Sequence, residues 1–214
     1  MTNIMIIGAG GRAGRAATAE AVRRGHTVTA VVRDPARHSD LAGPSVALRA
    51  GDATDAAALA RLAADHDAAV ATVADMAEDP DAFFTRAATA LVEGLRAGGV
   101  GRLVWVGLAS VLPTADGTPL MDTEGYPTAY RSFSLAHAAA LSTFSADGAG
   151  LDWVALSPSG DFDHTGRTTG GYAVAPADAA GRIGYADFAL AVLDEIDAPR
   201  WSRTHVGVEA APDA

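Results

Sequence analysis

The chain has 214 residues, of which 49% are hydrophobic and 20% charged, a balance typical of a globular protein rather than a disordered one. Its length suffices for one sizeable core and is short for two domains. The formal net charge of -10 argues against nucleic acid or an anionic membrane as a partner, since both need a basic surface. No apolar run approaches a membrane span, and we expect a cytoplasmic protein.

The chain contains neither cysteine nor lysine. Without cysteine there is no disulfide, no thiolate nucleophile and no cysteine-ligated zinc. The six histidines are scattered without paired spacing, and we therefore expect no metal site. All sixteen basic residues are arginine, so a catalytic mechanism that needs a lysine is not open to this protein.

The first apolar run, Asn3–Ile7, predicts a buried strand, and a glycine-rich turn and a helical pattern of alanines follow it at once. Gly8 lets the chain turn sharply off the strand, and Gly10 or Gly11 lets the backbone approach a pyrophosphate. Gly14 lets the helix pack closely on the strand. The helix N-terminus then offers free N–H groups to the phosphates. This stretch therefore predicts a dinucleotide site.

The second strand, Thr27–Val32, predicts which nucleotide binds. At the end of this strand an acidic residue would bind an adenosine ribose hydroxyl, whereas an arginine would bind a 2′-phosphate. Arg33 comes first and Asp34 second, so we expect NADP(H) in preference to NAD(H). Arg12, in the glycine turn, is a second candidate for the same phosphate. The alternative is that Arg33 is solvated surface and Asp34 caps the next helix.

The third strand, Val46–Ala50, is followed by Asp52, whose carboxylate could accept a hydrogen bond from an adenine amino group or could serve the turn alone. Strands and helices go on alternating, with strands at Ala68–Val73 and Arg102–Val106 and helices at Thr54–Ala64 and Asp81–Ala97. This rhythm predicts an α/β fold with a doubly wound parallel sheet of the Rossmann type. We expect residues 1–214 to form a single NAD(P)-binding domain.

The fifth strand ends near Ser110, whose hydroxyl is expected to lie near a nicotinamide because all these turns share one edge of the sheet. A loop too irregular to form an element of its own follows over residues 112–127. The next helix carries an apolar stripe in which His137 is expected to point inward, and Ser134 neighbours the stripe's first residue. The members of this stripe are Tyr130, Phe133, His137, Leu141 and Phe144.

The last third of the chain predicts a sixth strand, Asp152–Leu156, with Ser157 in its exit turn. Residues 157–183 are rich in Gly, Thr, Asp and Pro and are expected to form a small C-terminal substrate cap, with a short strand at Tyr172–Val174. Asp187 is expected to bond back to the first-turn amides of the last helix. Thr204–Val208 is expected to add an edge strand.

The chain resembles the atypical, NmrA-like short-chain dehydrogenases that bind NAD(P)H, a group that includes biliverdin-IXβ/flavin reductases and NADH-flavin reductases. The resemblance rests on the glycine turn, Val31-Val32-Arg33-Asp34-Pro35, Gly51-Asp52, the turn after the fifth strand, Asp152-Trp153-Val154, Ser157-Pro158, Gly166-Arg167-Thr168 and Ile183 to Asp187. It implies that NADP(H) is bound by Gly8, Gly11, Gly14, Arg33 and Asp52. It also implies that Ser157-Pro158-Ser159 lies beside the nicotinamide.

The sequence departs from typical short-chain dehydrogenases in its catalytic pair. Those enzymes use a tyrosine with a lysine four residues later, which lowers the pKa of the phenol. Tyr130 is followed at that spacing by Ser134. An acceptor that needs little acid catalysis fits better, because flavins, quinones and conjugated tetrapyrroles can take their proton from water. We therefore expect an NADPH-dependent reductase of a small-molecule acceptor, with Ser110, Tyr130 and Ser157 lining the acceptor pocket and His137 a further catalytic candidate.

Two other functions are open to the same sequence. One is an NADP(H)-binding sensor or regulator that binds cofactor without turnover. The other is a non-redox isomerase or cyclase that uses Tyr130, His137 or Asp161 as acid or base. The sequence does not set the oligomeric state.

Overall fold

The computed structural model describes residues 1–148 and 150–212. In that part of the chain the strands are β1 (Asn3–Ile7), β2 (Thr27–Val32), β3 (Val46–Ala50), β4 (Ala68–Ala71), β5 (Arg102–Val106), β6 (Asp152–Pro158), β7 (Asp161–Asp163), β8 (Tyr172–Val174), β9 (Arg182–Gly184) and β10 (Thr204–Ala210). The α-helices are α1 (Arg12–Arg23), α2 (Ala56–Ala63), α3 (Pro80–Ala97), α4 (Arg131–Asp147) and α5 (Tyr185–Asp197). None of the helices described is long and apolar enough to cross a bilayer.

The main sheet has the strand order β3-β2-β1-β4-β5-β6-β10-β8. Strands β1 to β6 and β10 pair in parallel, and β8 is antiparallel to β10. The order reverses between β1 and β4, so a crevice opens beyond the carboxyl ends of these two neighbours. The predicted doubly wound parallel sheet is confirmed, and its reversal point lies at the glycine turn.

Alternate residues of β1 face opposite layers because successive side chains of a strand point to opposite faces of the sheet. Met5 and Ile7 pack with Phe84 of α3 in the core under α2, α3 and α4. Ile4 and Ile6 belong with Phe188 to the second core, under α1 and α5. Burial on both faces explains why the strands read as continuous apolar runs.

The place of β10 in the sheet and the structure of residues 112–127 differ from the expectation. The strand expected at the edge, β10, lies inside the sheet between β6 and β8, and the edge is the short β8. Three residues are too few for a periodic signal, so the sequence alone does not show that β8 covers β10. The irregular segment 112–127 contains a single 3₁₀ turn, Leu120–Asp122, whose Leu120 is buried against Leu112.

A buried charge network ties β5 to α5 at the amino end of the sheet. Arg102 donates from Nη2 to Glu195 Oε2 at 2.8 Å and from Nη1 to Asp152 Oδ2 at 2.8 Å. Glu195, which has no exposed surface, also accepts the backbone N–H groups of Arg200 and Trp201. These hydrogen bonds compensate the carboxylate for the water it has lost.

Replacing Glu195 with alanine is expected to lower the free energy of unfolding by about 3–5 kcal/mol, because it leaves the buried Arg102 without its inner partner. Urea unfolding monitored by circular dichroism measures the change. Glu78→Ala breaks the exposed pair with Arg86 and is the control, with an expected loss below about 1 kcal/mol. Equal losses for the two variants would contradict the role given to Glu195.

Candidate cofactor site

The turn after β1 has no room for side chains at two of its glycines. Gly8 has a φ of +83°, and a Cβ there would lie 2.5 Å from the carbonyl oxygen of Thr72. A Cβ at Gly14, in the first turn of α1, would lie 2.4 Å from the carbonyl oxygen of Gly8. The sharp turn expected at Gly8 and the close packing expected at Gly14 are therefore both present.

Gly11 is the N-cap residue of α1, and no side chain caps this helix. The first amide groups of the helix therefore stay available to an anion, and the helix dipole favours negative charge there. A Cβ at Gly11 would have only ordinary contacts, the nearest being 3.5 Å from the carbonyl oxygen of Gly8.

A cleft of about 320 Å³ lies at the point where the strand order reverses. Its walls come from the carboxyl ends of β1, β2, β3 and β4, with apolar surface from Val31, Val32 and Phe83 and polar groups from Arg33 and Asp52. An apolar cleft with a few polar groups beside a glycine turn fits the adenosine half of a dinucleotide.

Arg33 lies at the mouth of this cleft in an ion pair with Asp75, from the loop after β4. The amide of Ala77 and then Arg33 hold the pKa of Asp75 below its ordinary value. Asp34, the other residue expected at this strand end, accepts a hydrogen bond from Ala36 N and caps the following 3₁₀ turn. The residue that lines the cleft at this position is thus the cation.

Asp52 and Arg12 have local partners as well as candidate roles. Asp52 lines the cleft, and its Oδ1 accepts from both the amide and the hydroxyl of Thr54 at 2.8 Å. That is the turn chemistry considered as the alternative for this residue. Arg12 is exposed, and its Nη1 lies 2.8 Å from Nδ1 of His164 in the cap segment.

His38, which the sequence did not single out, also lines the cleft. It belongs to the 3₁₀ segment after β2, and its ring packs against Gly10 so closely that a Cβ there would lie 2.6 Å from ring atoms Cε1 and Nε2. Nothing in the sequence signals this contact, because a single histidine in a polar turn is most often surface.

Ser110 follows the carboxyl end of β5, and Ser157 lies within the last residues of β6. Ser110 is 2% exposed, and its Oγ has no hydrogen-bond partner among the described residues. Ser157 is not in an exit turn, because β6 continues to Pro158. Its buried Oγ lies 2.6 Å from Nε2 of His205 on β10. A side chain at Gly107 would collide with this pair, since its Cβ would lie 2.7 Å from Ser157 Oγ.

His137 points into the core, as expected. Its ring centroid is 4.1 Å from that of Phe84, and its Nδ1 has no partner among the described residues. Burial, and then the proximity of His205, lowers the pKa of His137 to about 3. Burial also lowers the pKa of His205 to about 4. Both imidazoles are therefore neutral at physiological pH.

Tyr130 does not follow the stripe. Its side chain is 62% exposed, because it ends a 3₁₀ turn and α4 begins only at Arg131. The helical spacing that aligns Phe133 with His137 therefore does not extend back to residue 130. Tyr126 takes the inner position instead, with its hydroxyl 3.1 Å from Ser134 Oγ.

Asp187 anchors the cap segment rather than its own helix. It is buried and accepts from the hydroxyl of Thr168 at 2.6 Å and from the amides of Thr169 and Gly170 at 2.8 and 3.0 Å. The expected bond to the first-turn amides of α5 is replaced by these contacts, and Gly184 occupies the N-cap position. The carboxylate thus joins the start of α5 to residues 168–170.

Comparison with known proteins agrees with this geometry. Residues 8–199 match the NAD(P)H-binding family, and the chain belongs to that family. An uncharacterised protein from Bacillus subtilis, YwnB, is 33% identical over 204 residues, which are 92% of each chain. The structure of a putative exported protein from Burkholderia pseudomallei is similar, with a TM-score of 0.80 and 33% identity over 98% of this chain and 100% of that one. A putative NADH-flavin reductase from Streptococcus pneumoniae has a TM-score of 0.82 and 25% identity over 99% of this chain and 100% of its own.

The two buried histidines are expected to make the folded protein less stable as the pH falls from about 6.5 towards 4. In this window the unfolded chain takes up protons at histidines with a pKa near 6.5, whereas the folded pKa values are about 3 for His137 and about 4 for His205. The unfolded state thus binds more protons, at a cost of up to about 1.4 kcal/mol per histidine and pH unit.

Urea unfolding at pH 7, 6, 5 and 4 measures this dependence. In His137→Phe the slope between pH 6 and 4 should fall by roughly half, since one of the two linked groups is gone. His164→Phe, at an exposed position, is the control and should keep the parental slope. If His137→Phe kept the pH dependence of the parent's unfolding free energy, the pKa of His137 would not be lowered in the folded protein.

Proposed function

We propose that the chain is an NADPH-dependent oxidoreductase that passes a hydride to a flavin, a quinone or another conjugated small molecule. The observation that carries the proposal is the position of Arg33, a cation at the mouth of a nucleotide-sized cleft where β2 ends. The family match and the similarity to a protein named as an NADH-flavin reductase support the reductase assignment. That name specifies NADH, so the preference for NADPH rests on Arg33 alone. Residues 1–214 form, on this proposal, one cytoplasmic domain in which 157–183 is the substrate cap.

The cofactor roles follow from the geometry of the cleft. Gly8, Gly10, Gly11 and Gly14 let the backbone and the α1 N-terminus receive the pyrophosphate. Arg33 holds the 2′-phosphate after exchanging Asp75 for it. An ion pair with an exposed guanidinium, as Arg33 has here, contributes little stability, whereas a phosphate offers more oxygens and more charge. In subordinate roles, Arg12 lies at the entrance and Asp52 faces the adenine.

Few residues of this chain could act as a general acid at the acceptor. This favours an acceptor whose reduction needs little acid catalysis. Tyr130 is exposed, no lysine exists in the chain, and His137 is neutral and enclosed by aromatic rings. A bound reduced nicotinamide would supply a hydride, which carries two electrons to the acceptor, and the acceptor would take its proton from water. We assign Ser110 the contact with nicotinamide or acceptor, because its buried hydroxyl has no hydrogen-bond partner among the described residues. Ser157, paired with His205, and the buried His137 are assigned supporting roles, and the exposed Tyr130 is assigned to the outer part of the acceptor site.

Changing Arg33 and its partner Asp75 tests the cofactor preference in opposite directions. Arg33→Ala should raise the Kd for NADPH about tenfold or more and leave that for NADH within about twofold, because a charged hydrogen bond to phosphate contributes roughly 1.5–3 kcal/mol. Asp75→Asn should lower the Kd for NADPH about two- to fivefold, since Arg33 then has no carboxylate to release. Isothermal titration with both nucleotides measures the four constants.

Oxidation of bound NADPH on mixing with FMN or a quinone, followed by stopped-flow absorbance, tests turnover. Ser110→Ala should slow it about tenfold and leave the Kd for NADPH unchanged, because the hydroxyl acts at the acceptor end. Nucleotide binding without oxidation by either acceptor in the parent protein would replace the reductase with a sensor. If neither NADPH nor NADH bound, the cofactor assignment itself would fail.

A further inference from the structure

We infer that His38 is a second ligand of the cofactor's 2′-phosphate, and that Arg15 and Gly10 hold it in place for that purpose. The inference rests on the proposed NADPH-binding function, and it assigns a role to a residue outside the glycine turn and outside the end of β2. It stands on two contacts of His38, with Arg15 and with Gly10, and on the contacts that hold Arg15 itself.

The first contact fixes the protonation of the ring. Arg15 Nη2 lies 3.2 Å from His38 Nδ1. A guanidinium has only donors, so Arg15 must donate and Nδ1 must accept. Nδ1 therefore carries no proton, and the single ring proton of a neutral imidazole sits on Nε2. His38 thus presents an N–H donor on the ring edge opposite to Arg15.

The second contact fixes where that donor lies. Nε2 and Cε1 are each 2.6 Å from the position a Cβ would take on Gly10. The Nε2 edge is thus seated directly over the backbone of the glycine turn, in the wall of the cleft. No side chain larger than hydrogen is compatible with this placement. Gly10 therefore serves the ring of His38 as well as a pyrophosphate.

The third feature is the set of contacts that hold Arg15. Arg15 also donates from Nε to the carbonyl oxygen of Gly10 at 3.1 Å and forms an ion pair with Asp40 at 2.5 Å. One guanidinium thus joins the glycine turn, the imidazole and the 3₁₀ segment after β2. Asp40 offsets the charge of Arg15, so His38 and Arg33 are the residues with side-chain donors that line the cleft from this side.

The positions of these residues in the chain indicate that His38 binds the 2′-phosphate. The pyrophosphate of a dinucleotide lies at the glycine turn, and the ribose 2′ position lies at the end of the second strand. His38 belongs to the segment leaving β2 and reaches back to Gly10, so its N–H lies between these two places, on the side of Arg33. A 2′-phosphate there accepts from both, whereas the neutral ribose hydroxyl of NADH has much less to gain.

Titration calorimetry of full-length variants with NADPH and NADH tests the assignment. His38→Phe should raise the Kd for NADPH about five- to tenfold and that for NADH less than twofold, because only the 2′-phosphate loses a donor. His38→Gln should restore part of the preference, since an amide can both accept from Arg15 and donate to phosphate. The matched control is His66→Phe, which removes the imidazole bonded to Thr29 before β4 and should change neither constant.

A second readout needs no dinucleotide. In ¹⁵N-histidine spectra, assigned from the resonance missing in His38→Phe, the free protein should show His38 with its proton on Nε2. Adding 2′-AMP should shift this resonance more than 5′-AMP does at equal occupancy, because the two nucleotides differ only in the position of the phosphate.

The outcomes separate the two claims. If His38→Phe weakened NADPH and NADH equally, the imidazole would serve the pyrophosphate, and this inference would be wrong while NADPH binding stood. Unchanged constants in His38→Phe, or equal shifts with the two nucleotides, would also overturn it. Failure of the parent protein to bind either dinucleotide would instead remove the proposed function.

Discussion

The carbonyl oxygen of Gly8 is held from two sides, and the cofactor site depends on this contact. On one side α1 approaches so closely that a Cβ at Gly14 would be 2.4 Å from the oxygen. On the other side the hydroxyl of Thr72, just beyond β4, donates to it at 3.0 Å. The turn is therefore clamped between the helix that follows β1 and the strand that lies beside β1. This clamp places the N-terminus of α1 at the point where the strand order reverses.

The cleft beside this clamp is an exception to the acidic surface of the protein. The net charge is -10, yet the polar side chains that line the cleft from the β2 side are those of Arg33 and His38. Arg33 and Arg15 each have a carboxylate partner, Asp75 and Asp40. The partner of Arg33 occupies a position that a phosphate could take. On the proposed function, binding exchanges one anion for another at Arg33.

Local patterns in the sequence predicted most of the fold. Strands β1, β2, β3 and β5 have the expected bounds, because a parallel strand buried on both faces is a continuous apolar run between turn residues. The glycine turn was also predictable, because the backbone conformation that requires glycine there is local. The position of β10 was not, because strand order is set by pairing between distant residues and β8 is too short to show a pattern.

The residue pairs within the site could not be predicted from the sequence. Arg33 with Asp75, Gly10 with His38, and Ser157 with His205 each join residues from separate loops or strands. No periodicity links such residues, so only the fold brings them together. Tyr130 shows the converse, because the helical spacing predicts a position for a residue that lies one residue before the start of α4. Roles for single residues were therefore less predictable than the place where the site would form.

We propose that this edge of the sheet binds NADPH through the glycine turn and a cationic pocket for the 2′-phosphate. A crystal structure with NADP⁺ is the most direct test of this binding mode. We expect the pyrophosphate over Gly10 and Gly11 at the N-terminus of α1. The 2′-phosphate should lie between Arg33 and His38, with Asp75 released. A nucleotide bound elsewhere would contradict it, for instance in the cleft of about 260 Å³ beside Asp163 and Arg182. A 2′-phosphate facing solvent, with Arg33 still paired to Asp75, would contradict the assigned preference.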